Sequence, residues 1–226
     1  MPVIACVSPK GGVGKTTFAV LLATELARNG DPITLIDADP NYPIATWANL
    51  PNKPESIDVI LDKSEETILD NIGTAAQSSK IVIVDLEGIA SLRVSYAISC
   101  ADLVIIPLKG SMLDANEATK AISLINRTEK AFSRKINYTV LFCQMPAAIP
   151  RKNFKDIAAQ FTELDIPVSD IWLIEREAYR TIFSVGGSIY DLNEDQVGGL
   201  ESARANSYAL AEAIVDNLKK INRSKT

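Results

Sequence analysis

Histidine is absent from the sequence, and cysteine occurs only three times among 226 residues. Cys6, Cys100 and Cys143 lie far apart and form no CxxC pair. We therefore expect neither a zinc site nor histidine-based catalysis, and we interpret the three cysteines as buried thiols in a reducing cytosol.

Long apolar runs and an excess of basic residues are also lacking. No apolar run reaches the ~18–20 residues that cross a bilayer, and the N-terminus does not have the pattern of a secretory signal. The net charge is −5, whereas a protein that covers nucleic acid with its whole surface is basic. Any binding to nucleic acid would therefore need a local basic patch and would be weak for each monomer.

What is present is an alternation of buried-strand and helix patterns. Short β-branched runs predict strands at Val3–Val7, Ile33–Ile36, Ile81–Val84, Leu103–Ile106 and Thr139–Phe142. Helical patterns lie between or after them, at Thr16–Asn29, Ser64–Ser78, Asp114–Ala131 and Asn153–Leu164. This order predicts an α/β fold with one doubly wound, mostly parallel sheet flanked by helices. We expect residues 1–226 to form a single domain, with no additional DNA-reading domain in front of Val3.

The loop after the first strand carries the clearest chemical signal. Residues 9 to 17 read Pro-Lys-Gly-Gly-Val-Gly-Lys-Thr-Thr. The glycines allow successive backbone N–H groups to point at phosphate oxygens, and a helix that starts near Lys15 adds its positive end. Lys15 can reach the β- and γ-phosphates, and the Thr16 hydroxyl can bind Mg²⁺. The predicted nucleotide-binding residues are Lys10, Gly11, Gly12, Val13, Gly14, Lys15, Thr16 and Thr17.

Carboxylates follow two further strands, at the edge of the sheet where ligands of such folds bind. Asp37 and Asp39 follow the second strand, and a carboxylate there can position an attacking water or hold a metal-bound water. Asp39 could equally cap a turn before Pro40. Asp85 ends four apolar residues, a Walker B pattern in which the carboxylate serves Mg²⁺.

The first loop resembles that of the ParA/MinD group of deviant-Walker ATPases, and implies a P-loop fold that binds ATP and Mg²⁺. In that family the lysine matched by Lys10 crosses to the phosphates of a dimer partner, although Lys10 could also be a solvated charge. The resemblance assigns water positioning to Asp39 and the Mg²⁺ site to Thr16, Asp37 and Asp85. It therefore predicts Lys10 and Asp39 as the catalytic residues.

Further segments extend the resemblance to about Leu192. The stretch from Ser99 to Asp114 resembles the family's A-D-x-V-I-I-P…S-x-x-D pattern, in which Asp114 is either a site residue or a helix cap. The switch II segment Asp85-Leu86-Glu87-Gly88 departs from the family, and Glu87 could alter turnover or simply be solvated. Other resembling residues are Pro43 and Trp47, as in small plasmid-partition ParA and VirC1-like proteins, and the segment from Glu175 to Gly187.

The family places the adenine ring after the last clear strand. Gln144, Met145 and Pro146 occupy that place here, where an apolar side chain and a proline could contact a base, or form an ordinary loop.

The resemblance implies a homodimer that forms on ATP binding and binds DNA non-specifically. It also implies a ParB-like or cargo-adaptor protein that stimulates hydrolysis, and a location in the cytoplasm, on the nucleoid. Ten basic residues are candidates for contacts with DNA phosphates: Arg151, Lys152, Lys155, Arg176, Arg180, Arg204, Lys219, Lys220, Arg223 and Lys225. They could also be scattered charges that only contact solvent.

Three alternatives remain open. A MinD-like membrane regulator would use a C-terminal amphipathic helix, but the stripe Leu210, Ile214, Leu218 and Ile221, on a helix starting near Leu200, favours packing on the core. A VirC1-like DNA-processing factor would bind a specific DNA site. A metabolic or metal-cluster enzyme would need substrate or cluster ligands, and the lack of paired cysteines disfavours the cluster version.

Overall fold

Seven parallel strands form one sheet in this computed structural model, in the order β3-β2-β4-β1-β5-β6-β7. The structure describes residues 1–89, 91–110, 112–147, 159 and 161–224. The strands are β1 (Val3–Cys6), β2 (Ile33–Ala38), β3 (Ile57–Leu61), β4 (Ile81–Leu86), β5 (Leu103–Leu108), β6 (Asn137–Met145) and β7 (Leu173–Ile174). The predicted α/β fold with a doubly wound sheet is confirmed, and every described pairing of neighbouring strands is parallel.

Helices cover both faces of this sheet. They are α1 (Lys15–Ala27), α2 (Pro43–Ala48), α3 (Ile68–Ser78), α4 (Leu92–Cys100), α5 (Met112–Phe132), α6 (Glu177–Val185) and α7 (Leu200–Ser224). One core layer packs the sheet against α1, α2, α6 and α7, and the other packs it against α3, α4 and α5. Because both faces are buried, the central strands are almost entirely apolar rather than alternating.

The five predicted strands are all observed, and two short edge strands, β3 and β7, were not predicted. Of the predicted helices, α3 begins at Ile68 rather than Ser64, because Ser64 to Thr67 form a turn in which the Thr67 N–H donates to the Ser64 carbonyl. The predicted helix at Asn153–Leu164 lies largely outside the described residues.

The long C-terminal helix α7 begins at Leu200, as predicted, and packs on the core. Leu210, Ile214, Leu218 and Ile221 are between 1% and 7% exposed. The interpretation of this stripe as a core-packing face is therefore confirmed. None of the helices in the described part of the chain combines the length and the apolar character needed to cross a bilayer.

The three cysteines are free thiols, but they are not all buried. Cys6 and Cys143 are fully buried, and burial raises the pKa of both thiols. Cys100 is only partly buried, because it lies in the last turn of α4 near the surface. The expectation of three buried cysteines is corrected on this point.

Candidate functional site

The loops that follow β1, β2 and β4 meet at the carboxyl edge of the sheet and surround a cavity of about 400 Å³, here called the phosphate cavity. Parallel strands bring these loops to the same edge, since all strands end there. The lining residues are Pro9, Gly11, Gly12, Gly14, Lys15, Thr16, Thr17, Asp39, Asn41, Glu87, Gly88 and Gln144.

The glycine-rich loop contains two glycines with positive φ, Gly12 and Gly14. Gly14 precedes α1 with φ of 100°, in the left-handed region that favours glycine. A Cβ atom at Gly14 would also lie 3.2 Å from the Cβ of Cys143. Both the backbone and the space therefore favour glycine there. The loop leads directly into α1, whose first N–H groups lack helical partners and carry partial positive charge.

Lys15 is the first residue of α1 and contributes a buried cation to the phosphate cavity. Its side chain lines the cavity although the residue is only 8% exposed. The neighbouring Val13 is 1% exposed and does not line the cavity.

Asp85 lies beside this loop at the end of β4. The Thr16 hydroxyl donates to its Oδ2 at 2.6 Å, whereas Oδ1 is buried and has no hydrogen-bond partner among the described residues. Burial is the main reason that the pKa of Asp85 rises to about 7, and the Thr16 hydrogen bond and the Lys15 charge partly oppose it.

Asp37 lies directly opposite Asp85 in the pairing of β2 with β4. Its Oδ2 accepts from the Ala45 N–H at 2.9 Å, and its Oδ1 is likewise buried without a partner in the described part of the chain. Burial raises the pKa of Asp37 as well, against the lowering effect of backbone hydrogen bonds. Two desolvated carboxylates thus occupy paired positions on adjacent strands, each with one oxygen that lacks a partner among the described residues.

These carboxylates and Thr16 fit a Mg²⁺ ion that is shared with phosphates. Mg²⁺ prefers oxygen ligands and is typically held by one or two carboxylates together with substrate phosphates and water. The described residues contain no group of three or more Cys, Asp or Glu side chains that could hold a metal ion. A divalent cation would compensate the negative charge of carboxylates whose pKa values are raised mainly by burial.

Asp39 lies at the phosphate cavity and is half-buried. Its Oδ1 accepts two hydrogen bonds from Asn41, one from the backbone N–H at 2.9 Å and one from the side-chain Nδ2 at 3.0 Å. The carboxylate therefore has the turn-stabilising contact that was considered as its alternative role, and it also lines the cavity. Asn41 was not predicted as a site residue, although its position two residues after an aspartate is typical of such a turn.

Lys10 lies outside the phosphate cavity of its own chain. It is exposed and lines a separate surface cavity of about 630 Å³ together with Pro9 and residues of α5: Asn116, Glu117, Thr119 and Lys120. The side chain of Asp114, on the first turn of α5, lies outside the described part of the structure.

The residues predicted to contact the adenine ring lie in different environments. Gln144 donates from Nε2 to the Gly12 carbonyl at 3.1 Å and so contacts the phosphate loop. Met145 is 1% exposed and lines neither the phosphate cavity nor its neighbour, and its contact with a base stays a prediction. A β-bulge explains this placement. Gln144 has a positive φ of 54° and the register shifts between Cys143 and Met145, so Met145 packs on the opposite face from Cys143.

A small cavity of about 40 Å³ adjoins the phosphate cavity at Gly14, Thr17 and Gln144. Pro146 is exposed and does not line it. The remaining lining residues come from β7 and α6, and sequence reasoning placed no base contact there: Leu173, Ile174, Glu175, Arg176, Tyr179 and Arg180. Only the family-like segment from Glu175 to Arg180 pointed to this region.

The basic candidates differ in how accessible they are. Arg204 donates to the carbonyls of Ile189 and Leu192 and lies near the Tyr190 ring, so it stabilises the C-terminal fold. Arg180 pairs with Glu175 and Lys219 pairs with Asp216, while Lys220 and Arg223 are exposed on α7. Arg151, Lys152, Lys155 and Lys225 lie outside the described residues.

The profile of the VirC1 protein family matches residues 1–224. The chain is 40% identical over 218 residues to Protein ParA of Rhizobium radiobacter, which covers 96% of this chain and 98% of that protein.

The fold is similar to those of known structures. Apo McdA of Cyanothece aligns with a TM-score of 0.77 at 16% identity, over 95% of this chain and 99% of that one. A variant of Cyanothece McdA in complex with ATP aligns with a TM-score of 0.71 at 16% identity, over 95% and 96% of the two chains.

Proposed function

Because the chain belongs to the VirC1/ParA family of partition ATPases, we propose that it binds Mg-ATP in the phosphate cavity and hydrolyses it slowly. The observation that carries the proposal is the pairing of Asp37 with Asp85 beside Thr16 and the glycine-rich loop. Each carboxylate has one buried oxygen without a hydrogen-bond partner in the described chain, and Thr16 of the loop donates to Asp85. Mg²⁺ would neutralise charge on the phosphates while the transferring group leaves.

The chain's own groups have separate tasks in this proposal. Backbone N–H groups of residues 11–16 and the Lys15 ammonium bind the phosphates, and the Thr16 hydroxyl and the Asp85 carboxylate bind the cation. Asp37 lies within the same carboxylate pair and supports the cation site. Asp39, which lines the cavity and is oriented by Asn41, positions the attacking water.

Dimerisation around ATP is the second part of the proposal. Lys10 is exposed beside α5 and lies outside the phosphate cavity of its own chain, which supports a role toward the phosphates of a partner subunit. A cation supplied in this way would stabilise negative charge that develops on the transferring phosphoryl group.

Non-specific DNA binding by the ATP-bound dimer is the third part. The net charge of −5 disfavours binding by the whole surface. The exposed basic residues of α7, Lys220 and Arg223, support a local patch that dimerisation would double. A ParB-like or cargo-adaptor protein would stimulate hydrolysis, so that the cycle positions a plasmid or other cargo. This activity would take place in the cytoplasm, on the nucleoid.

The test is binding of the purified protein to random-sequence duplex DNA with ATP, ADP or no nucleotide, over a series of salt concentrations. We expect binding that requires ATP, weakens steeply as salt rises, and is lost in Lys10→Ala. Lys109→Ala is a matched control, since this exposed lysine lies on another loop and lines neither of these cavities. Absence of DNA binding in every nucleotide state would refute the DNA part and leave the ATPase part to be tested separately.

A VirC1-like role in DNA processing is the second candidate, and the match of the VirC1 profile to residues 1–224 favours it. The same assay separates the two, because a processing factor would prefer one DNA site over random sequence by a large factor. The buried stripe on α7 gives no support to a MinD-like membrane helix.

A further inference from the structure

The segment that carries Asp37 and Asp39 accepts hydrogen bonds from one backbone N–H and one side chain that belong to neither nucleotide loop. The backbone N–H of Asp62, directly after β3, donates to the Asp37 carbonyl at 2.9 Å. The Arg93 guanidinium, in the first turn of α4, donates from Nη1 to the Ala38 carbonyl at 2.9 Å. Two consecutive carbonyls between the carboxylates thus accept bonds from two other elements.

Asp62 and Arg93 also contact each other. Arg93 Nε lies 3.1 Å from Asp62 Oδ2, and the side chains are 16% and 0% exposed, respectively. This contact is an ion pair without hydrogen-bond geometry, since Nε and Oδ2 both lack a hydrogen-bond partner in the described chain. The other carboxylate oxygen, Oδ1, accepts from Thr67 at 2.7 Å and from Asn71 at 2.8 Å, both at the start of α3.

We propose that Arg93 is a positioning residue for the segment that carries Asp37 and Asp39, and that it links α4 to this segment through the Ala38 carbonyl. This inference rests on the proposed ATPase function. The α4 helix is the next element after β4, and Arg93 in its first turn donates to the carbonyl of Ala38, the last residue of β2. Arg93 thereby joins the end of β2 to the helix that follows β4.

The chemistry of the side chain explains why arginine rather than lysine is suited to this position. A planar guanidinium offers donors in a fixed fork, so one group can contact a carbonyl and a carboxylate at the same time. A lysine ammonium carries the same charge but has no such fork. Arg93→Lys therefore preserves compensation of the buried Asp62 charge and is expected to lose the fixed position of the Ala38 carbonyl.

Hydrogen exchange of the nucleotide-free protein gives a readout that does not depend on activity. In Arg93→Lys, amides of residues 37–46 should exchange about 10-fold faster or more, while those of β6 remain as in the wild type. Arg134→Lys is the matched control. Arg134 also contacts a carbonyl, that of Ser99, and a carboxylate, that of Asp102, but at the opposite edge of the sheet.

Turnover and nucleotide affinity provide the second readout. Arg93→Lys should lower kcat for ATP hydrolysis about 10-fold or more while the Kd for ATP measured without Mg²⁺ changes less than about 3-fold. A purely structural role would instead lower the melting temperature and the fraction of active protein together. Unchanged exchange in residues 37–46, or an equal effect in Arg134→Lys, would overturn the proposal.

A second variant tests the proposal if Arg93→Lys does not fold. The double substitution of Arg93→Met with Asp62→Asn leaves no unpaired buried charge and keeps an acceptor for Thr67 and Asn71. It should fold and show the same faster exchange in residues 37–46, and wild-type exchange there would refute the inference. If the wild type itself hydrolyses no ATP, the proposed function fails, whereas the exchange result still decides the role of Arg93.

Discussion

Replacing Asp85 by asparagine is expected to flatten the pH dependence of stability of the nucleotide-free protein above pH 6. Asp85 is fully buried, and its pKa rises from 3.8 to about 7, chiefly through desolvation. The folded state therefore binds a proton at Asp85 more tightly than the unfolded state does. The stabilisation from this proton is complete below the unfolded pKa and is lost as the pH rises through the folded pKa.

The magnitude follows from the two pKa values. The full shift from 3.8 to about 7 corresponds to about 4 kcal/mol between acid and alkaline conditions. A change from pH 6 to pH 8.5 crosses only the upper part of this window and removes about 1 kcal/mol. For a domain of this size, about 1 kcal/mol lowers the melting temperature by about 2–4 °C.

Urea unfolding and thermal melts at several pH values between 6 and 8.5 measure this difference. Asp85→Asn cannot ionise, and it can still accept the Thr16 hydrogen bond through its amide oxygen. The free energy of unfolding should therefore fall less with pH in Asp85→Asn than in the wild type, by about 1 kcal/mol. Asp70→Asn, a change at an exposed carboxylate on α3, should keep the wild-type profile.

Parallel pH profiles of wild type and Asp85→Asn would refute the reasoning, because they would mean that the carboxylate at position 85 ionises normally in the folded protein. Addition of Mg-ATP gives a second comparison of the two proteins. At pH 8 it should raise the free energy of unfolding of the wild type and have a much smaller effect on that of Asp85→Asn.

Three further predictions concern the loops and the core. Asp39→Asn should lower kcat about 100-fold or more and leave the Kd for ATP within a few-fold in a calorimetric titration, and an unchanged kcat would remove Asp39 from the mechanism. Gly14→Ala should destabilise the protein by at least about 1–3 kcal/mol in urea unfolding, because φ is 100° and Cys143 lies against the new methyl group; Gly30→Ala, at a positive φ but in open space, should cost less. Ile214→Ala should lower the free energy of unfolding by about 2–5 kcal/mol in urea unfolding, because Ile214 is buried in the core. A variant as stable as the wild type would contradict core packing of α7.

The central strands could be predicted from the sequence because burial on both faces leaves a continuous apolar run. The edge strand β3 could not, since its sequence Ile-Asp-Val-Ile-Leu includes exposed positions and pairs only with β2 on one side. The α2 helix is short and follows Tyr42 at a positive φ, which gives no periodic signal. Local sequence patterns thus predicted the strands that are buried on both faces, and they missed short elements whose structure depends on contacts with other segments.

The candidate site shows the same division. Thr16, Asp37, Asp39 and Asp85 lie at or just beyond the carboxyl ends of parallel strands, so their location at one edge of the sheet could be predicted from the sequence. The burial of Met145 could not, because it depends on a bulge at Gln144.

Contacts between distant segments carry no local signal either. The Trp47 indole donates to the Gly187 carbonyl at 2.9 Å, and the Arg93 guanidinium donates to the Ala38 carbonyl. Neither pairing can be inferred from spacing along the chain.

Titration of the purified protein with ATP, with and without Mg²⁺, tests the central claim most directly when Lys15→Met is measured alongside. The account predicts one ATP per chain in the wild type, tighter binding with Mg²⁺, and binding at least about 100-fold weaker in Lys15→Met. Equal ATP binding by wild type and Lys15→Met, or none by the folded wild type, would contradict the assignment of residues 9 to 17 as the phosphate-binding loop.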